Sequence, residues 1–344
     1  MVLPVLTASF LAVARVCLVC AGGVWLGRIG VMNRDFRKSL GRVILLLLLP
    51  CMLISKLSIN ASLDSLCKWA AIPVVALLYA ALGMGIGQAL VRLLKPSKDL
   101  RRAVVAATAF GNSGYIPFTL VAAVAAAAPQ FQSDPQAADR GIAFVSVYLM
   151  AFSPCLWGIA FPYLGGEHGE RLRWRQLLSP PVLSVLAGIT LGLVPPFRAL
   201  LIEEGAPLRV FLDAANVLGA AAIPCGLLIL GANLGDRRQT NTEIRRRDIA
   251  TVCVGRYVLL PALGIPLVLG LFHLGVIPND PMCLLVLLIE AGVPPATNLA
   301  VMCQIHNRNE TAMSKLLVWS YIVEIPTLTL LVAVALFLVG KLCA

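Results

Sequence analysis

The chain has 344 residues, of which 59% are hydrophobic and only 13% are charged, and its mean hydropathy is +0.88. Soluble domains carry roughly 25% charged residues, so this composition excludes an ordinary water-soluble enzyme or binding domain. The formal net charge of +11 requires no nucleic-acid partner, because the basic residues cluster in short loops between long apolar runs. Such a pattern is typical of proteins that cross a lipid bilayer several times.

Ten apolar segments of about 20 residues predict ten membrane-spanning helices. In chain order they cover residues 3–27, 39–58, 69–93, 102–128, 141–164, 180–197, 208–234, 248–272, 281–305 and 315–340. One set of alternate loops holds 20 Lys and Arg residues, and the other set holds six. Because positively charged loops stay in the cytosol, both termini are predicted to lie on the non-cytosolic side.

Prolines recur at a nearly constant separation, which indicates an internal duplication. Four pairs lie 172 to 177 residues apart: Pro4 and Pro181, Pro50 and Pro224, Pro117 and Pro294, and Pro154 and Pro326. The sequence therefore predicts an all-α polytopic membrane protein with two five-helix repeats, 1–165 and 180–344, joined by a short cytosolic linker, 166–179. Since five is an odd number, the second repeat enters the membrane inverted. Inverted repeats are typical of secondary transporters, which bind substrate near the midplane.

The fourth and ninth segments contain residues that break helices. The fourth reads "AFGNSGYIPF" at 109–118, inside a stretch that is otherwise almost pure Ala and Val, and the ninth reads "IEAGVPPATNLAVMC" at 289–303. Proline removes an intrahelical hydrogen bond, and open backbone survives in a membrane only inside protein or beside water. We therefore predict that both helices are broken and that the two breaks cross.

Two crossing breaks form a candidate anion site, because the N-terminus of a half-helix offers free N–H groups and partial positive charge. Asn, Ser, Tyr and Thr side chains add neutral hydrogen-bonding groups. The predicted substrate-binding residues are Asn112, Ser113, Tyr115, Pro117, Pro294, Pro295, Thr297 and Asn298. The alternative is that the prolines only kink the helices and that the Asn side chains cap the loose ends.

Four charged side chains lie well inside predicted spans, away from the span ends, namely Arg15, Arg256, Glu290 and Glu324. Charges inside a membrane are costly and suggest function, with a partner nearby. Glu290 precedes Pro294 by about one helical turn. Two alternatives stay open for it: a fixed pair with Arg256, or a proton that is coupled to transport. The roles of Arg15 and Glu324 are not determined by the sequence.

Three glycine pairs have the spacing that allows helices to approach closely: Gly23–Gly27, Gly83–Gly87 and Gly188–Gly192. We predict that they pack inside the helix bundle, with a homodimer contact as the alternative. No cofactor or metal site is predicted, because the three histidines lie far apart and the ten cysteines are scattered singly.

Several segments resemble the auxin efflux carrier family, particularly its PIN-likes branch. "FGNSGYIPF" and "AGVPPATNLAVMCQ" resemble the two signature segments of that family, and "AAIPCGLLILGANL" at 221–234 and "VGRYVLLPALGIP" at 254–266 are similar to the branch. The resemblance runs from the first span to the last. It implies a ten-helix fold with a scaffold and a transport domain, crossing broken helices, and export of small organic anions (auxin in plants).

The residues that match family positions are Asn112, Pro117, Pro294, Pro295, Asn298 and Gln304. Tyr115 departs from the branch, which usually has a second Asn there, so the resemblance does not imply indole-3-acetic acid as the substrate. The short central loop is similar to that of family members in the endoplasmic reticulum, which favours that membrane over the plasma membrane.

The sequence thus predicts a secondary transporter, an efflux carrier of small organic anions that works by alternating access. Alternatives are a sodium- or proton-coupled organic-acid symporter, or a channel or receptor that uses the same crossing. An enzyme is not predicted, because the spans hold no nucleophile–base set. The substrate, the coupling ion, the transport direction, the membrane and the oligomeric state stay open.

Overall fold

A computed structural model of the chain describes residues 2–62, 68–166, 180–235 and 244–343. Within these ranges the secondary structure is helical, with one isolated β-bridge and no β-strand. The helices are α1 (Val2–Arg28), α2 (Arg34–Asn60), α3 (Ala71–Leu94), α4 (Arg101–Ala109), α5 (Tyr115–Ala127), α6 (Ala137–Gly165), α7 (Pro180–Leu193), α8 (Pro195–Leu201), α9 (Arg209–Asn233), α10 (Arg246–His273), α11 (Pro281–Glu290), α12 (Asn298–Ile305) and α13 (Glu310–Leu342), with single 3-10 turns at Lys98–Leu100 and Pro129–Phe131. Apart from Gly166, the predicted linker 166–179 lies outside the described residues.

Seven of these helices are long and apolar enough to cross a membrane, namely α1, α2, α3, α6, α9, α10 and α13. The bent pair α7 and α8 makes eight if it is taken as one span. The all-α polytopic class is therefore confirmed. The described residues contain seven or eight full-length spans, so the count of ten stays a prediction. The predicted fourth and ninth segments are each divided between two short helices, α4 with α5 and α11 with α12.

Prolines explain where the long helices widen. Each of three stretches of π-helix is followed two residues later by a proline: Ile44–Leu48 before Pro50, Leu156–Ala160 before Pro162, and Gly255–Leu259 before Pro261. A proline has no N–H, and its ring clashes with the carbonyl four residues earlier, which lies inside the widened turn in every case. The wider turn accommodates the ring, so the helix continues through the proline instead of ending.

The sixth predicted segment bends by 93° between α7 and α8. Val194 stands between the two helices with an extended backbone (φ −83°, ψ 112°) and precedes Pro195. A residue before proline disfavours the helical region, and a proline at the first position of a new helix loses nothing. The helix therefore ends at Leu193 and restarts in another direction.

Packing separates the helices into two groups. In the first, α1 lies mainly against α9, and α2 lies mainly against α7 and α9. In the second, α3 packs on α4 and α6, while α11 and α12 pack on α13. The interrupted segments belong to the second group, and α5 also contacts α1 and α9 across the boundary between the groups.

The three predicted glycine pairs do pack inside the bundle. Gly23 lies against the backbone of Leu228 in α9, Gly83 against Ala109 at the end of α4, and Gly188 against Ile54 in α2. Their contacts are close because a glycine has no side chain to separate the two backbones. Internal packing is thus confirmed for these pairs, and the homodimer stays a prediction.

We expect Gly83→Ala to lower the free energy of unfolding by about 1–3 kcal/mol, because overpacking a tight helix contact costs that much. A Cβ at Gly83 stands 2.5 Å from Ala109 Cα, so α4 has to move. Gly85 on the same helix is the matched control, since a Cβ there meets nothing within 4 Å. Thermal unfolding in detergent of both variants tests this; equal midpoints for Gly83→Ala and Gly85→Ala contradict the tight contact.

Candidate functional site

The two interrupted segments are open for reasons that lie in their sequences. α4 ends at Ala109 and α5 begins at Tyr115, while α11 ends at Glu290 and α12 begins at Asn298. Pro294 and Pro295 push the residue before each of them into extended backbone and supply no N–H for a helix. The chain between the half-helices is therefore extended at this point and free to pair with another segment.

The extended pieces pair with each other. Gly111 and Pro295 form an antiparallel β-bridge. The Asn112 N–H donates to the Pro294 carbonyl (2.6 Å), and the Ala296 N–H donates to the Phe110 carbonyl (2.9 Å). All of these residues are buried, so the backbone groups freed by the breaks satisfy one another across the interruption. The predicted breaks therefore lie side by side.

The second halves begin without side-chain caps. The residues before them, Gly114 for α5 and Thr297 for α12, make no capping hydrogen bond. Among the described helices, Asp280 accepts hydrogen bonds from the first N–H groups of α11, and Asn33 caps α2, whereas α3, α4, α6, α8, α9 and α13 also begin without a side-chain cap. In α12 the N–H groups of Leu299 and Ala300 donate to Ala296 O and Thr297 O (3.1 Å each), and in α5 Pro117 has no N–H. The partial positive charge at the two helix N-termini suits an anion.

The first halves, in contrast, end on a buried arginine. Arg256 of α10 is 2% exposed, and its guanidinium donates to carbonyls at both helix ends. Its Nε donates to Val293 O (2.5 Å), its Nη1 to Thr108 O and Ala109 O (3.4 Å each) and its Nη2 to Glu290 O (3.5 Å). One side chain thus binds the C-terminal ends of α4 and α11 together.

Asn112 is held by a residue that the sequence analysis did not single out. Its amide Nδ2 donates to the hydroxyl of Tyr321 in α13 (2.7 Å), and that hydroxyl donates to Pro295 O (3.2 Å). Asn112 and Tyr321 are both buried. The sequence did contain a signal for this contact, namely Tyr321 inside an apolar span, because a buried phenol needs a hydrogen-bond partner.

Glu290 and Ser113 lie close to each other and to Tyr148. Both are buried, and neither the Ser113 hydroxyl nor the Glu290 carboxylate oxygens have a hydrogen-bond partner within bonding distance among the described residues. Arg256 reaches the backbone carbonyl of Glu290 instead of its carboxylate. The contact that the sequence suggested between these two residues is therefore made through the main chain.

The other predicted site residues differ in exposure. Pro117, Pro294 and Pro295 are buried, Tyr115 and Thr297 are half-buried, and Asn298 at the start of α12 is exposed. Tyr115 packs against Gly226, where a side chain on α9 would overlap its ring. Tyr115 therefore lies between the two helix groups, whereas Asn298 lies at the surface of the protein.

A cavity of about 230 Å³ lies between α1 and α13, next to the bridge. Its wall is apolar apart from Tyr321 and Glu324, and it includes Ile116 of α5 and Leu230 of α9. It therefore follows the boundary between the two helix groups and reaches Tyr321, which holds the Asn112 side chain. The site thus offers two helix N-termini and the exposed Asn298 amide, and an apolar space lies beside Tyr321; such features suit a small anion with an apolar body.

Comparison with known proteins covers nearly the whole chain. A model of a family described as membrane transport protein matches residues 8–162 and 167–332. Protein PIN-LIKES 1 of Arabidopsis thaliana is 27% identical across 93% of this chain and 77% of its own length. Protein PIN-LIKES 5 of the same plant is 27% identical across 86% of this chain and 88% of its own length. An uncharacterized transporter of Saccharomyces cerevisiae is 22% identical across 95% of both chains.

Proposed function

Because the chain belongs to the auxin efflux carrier family of membrane transport proteins, in its PIN-likes branch, we propose that it is a secondary transporter of small organic anions such as auxin-like carboxylates. The observation that carries this proposal is the pair of uncapped half-helices, α5 and α12, which flank the Gly111–Pro295 bridge. The partial positive charge and the N–H groups at helix N-termini recognise carboxylates.

In the proposed site, the anion binds at the first turns of α5 and α12. Asn298 and Thr297 donate from one side, and Ser113 and Tyr115 from the other. Asn112, Pro117, Pro294 and Pro295 keep the extended pieces in place, as the buried hydrogen bonds of the bridge support. The apolar body of the substrate lies in the cavity beside α1 and α13.

Alternating access follows from the two helix groups. We propose that α1, α2, α7 and α9 form a scaffold and that the interrupted helices move against it with α3, α6, α10 and α13. This division is supported by the packing within each group and by the cavity at their boundary. The repeats proposed from the prolines, 1–165 and 180–344 with ten spans in all, give this mechanism its two inverted halves.

The membrane potential is the proposed driving force. Moving one charge through 100 mV releases about 2.3 kcal/mol, so a monoanion leaves a negative cytosol without a coupling ion. The excess of Lys and Arg in alternate loops supports an orientation with both termini outside the cytosol, and the short central loop favours the endoplasmic reticulum. In this proposal the lipid bilayer surrounds the protein as its partner, and the anion is exported from the cytosol.

Uptake of radiolabelled monocarboxylates into proteoliposomes, with an imposed potential switched on and off, tests the function. We expect saturable uptake that follows the potential. Flux that rises linearly with concentration identifies a channel, and binding without flux identifies a receptor. Uptake that appears only with a sodium or proton gradient identifies a coupled symporter. Any of these three results contradicts the proposal.

A further inference from the structure

Arg256 occupies the position where the two first halves end. Its hydrogen bonds go to four main-chain oxygens, and these belong to Thr108 and Ala109 at the end of α4 and to Glu290 and Val293 at and after the end of α11. The last carbonyls of a helix have no intrahelical partner, and they carry partial negative charge. Two such ends converge here, so the place attracts a cation.

Carriers with broken helices use such places for coupling ions, since unwound carbonyls and half-helix C-termini coordinate Na⁺ or H⁺. Hard cations prefer oxygen ligands of this kind. In this chain the cation is covalently attached: a guanidinium stays charged in proteins and offers five fixed N–H donors. It satisfies the carbonyls that an ion would otherwise bind.

We infer that Arg256 is a resident cation that fills a monovalent-cation site between α4 and α11, so that the anion is carried without a coupling cation. The chain makes room for this side chain, because a Cβ on Gly111 would overlap its Nη2. The Glu290 carboxylate, buried and without a hydrogen-bond partner among the described residues, is an additional oxygen ligand if the arginine is removed. Transport without a coupling cation rests on the proposed function, whereas the cation site itself does not.

Thermal unfolding of purified Arg256→Ala tests the site without any transport. We expect guanidinium chloride or sodium chloride at low concentration to raise its unfolding midpoint by about 2 °C or more relative to choline chloride, since a ligand that binds only the native state stabilises it. Wild type, whose site is filled, shows no such difference. Equal midpoints in all three salts overturn the inference.

Arg308→Ala is the matched control. Arg308 also donates to a carbonyl at a helix end, Gly165 O at 3.1 Å, but this helix end is α6 and lies outside the bridge. Removing the Arg308 side chain therefore exposes the carbonyl of a single helix end, and no second helix end converges on it. We expect no cation-specific stabilisation of Arg308→Ala. If Arg256→Ala does not fold, Arg256→Lys keeps the charge with fewer donors, and its midpoint has to stay independent of the salt.

Charge movement in wild type tests the transport consequence. We expect one elementary charge per monoanion, and the same uptake in sodium, potassium and choline media. Uptake by Arg256→Ala falls about tenfold or more, as expected for lost charged hydrogen bonds, and sodium or guanidinium restores part of it. Electroneutral uptake or sodium dependence in wild type overturns the inference while leaving the carrier function intact, and no uptake at all refutes the proposed function alone.

Discussion

Replacing Gly111 with alanine is expected to abolish transport and to lower the free energy of unfolding by about 3 kcal/mol or more. The new Cβ overlaps the Arg256 guanidinium and lies 2.8 Å from Val293 Cγ2. Arg256 is then displaced from the carbonyls of α4 and α11, and a buried charge that loses its partners costs about 3–5 kcal/mol. Thermal unfolding and uptake by the same purified variant measure the two effects together.

Gly114→Ala is the matched control for Gly111→Ala, because both positions lie in the same interruption. A Cβ at Gly114 meets only Asn112 Oδ1, at 3.9 Å, which is an ordinary contact. We therefore expect Gly114→Ala to keep the stability of wild type. If Gly111→Ala unfolds at the same temperature as Gly114→Ala, Arg256 does not depend on the space beside Gly111.

Asn112→Ala is expected to lower the free energy of unfolding by about 1–3 kcal/mol and to remove most of the uptake. It deletes the 2.7 Å hydrogen bond to the Tyr321 hydroxyl and leaves a buried polar group with one partner fewer. Because that hydroxyl also binds Pro295 O, the loss loosens both interrupted segments at once. Chemical unfolding and saturable uptake are the measurements.

A double-mutant cycle with Tyr321→Phe isolates this contact. We expect a coupling energy of about 1 kcal/mol between Asn112→Ala and Tyr321→Phe, as for neighbours that share a hydrogen bond. Asn60→Ala is the control, since the Asn60 amide makes a bond of the same length, 2.7 Å, to Lys56 O within one helix. Additive effects of Asn112→Ala and Tyr321→Phe argue against a hydrogen bond from Asn112 through Tyr321 that connects the two interrupted segments.

The sequence was sufficient to predict the interruptions, because Gly and Pro act locally. The consecutive Pro294 and Pro295 interrupt the ninth segment, because proline removes helical hydrogen bonds. Gly111 and Gly114, on either side of Asn112, weaken the helix in the fourth segment. Membrane class and family likewise follow from apolar runs and short motifs. The bend at Val194 was missed, although Pro195 was visible, since a proline can also be absorbed by a wide turn, as at Pro261.

The side-chain partners inside the site were beyond the sequence. A pair between Arg256 and the Glu290 carboxylate was one of two alternatives that the sequence left open, and the hydrogen bonds of Arg256 go to backbone carbonyls. Arg256 finds these carbonyl partners because the C-terminal ends of α4 and α11 meet beside it, and that meeting is a property of the tertiary fold. Likewise, Asn112 and Asn298 look equivalent in the sequence, but Asn112 is buried against Tyr321 and Asn298 is exposed. The two amides therefore have different proposed roles, one in holding the bridge and one in binding the anion.

The central claim, that an anion binds at the exposed first turn of α12, is tested most directly at Asn298. Potential-driven uptake of radiolabelled monocarboxylates is measured for wild type, Asn298→Ala and Asn298→Asp in proteoliposomes. Losing one hydrogen bond to a charged group weakens binding about tenfold or more, so KM rises in Asn298→Ala while the unfolding midpoint is unchanged. A carboxylate of nearly the same shape repels the substrate, so uptake by Asn298→Asp has to fall below that by Asn298→Ala. Uptake by Asn298→Asp equal to or above that of Asn298→Ala contradicts an anion at this site.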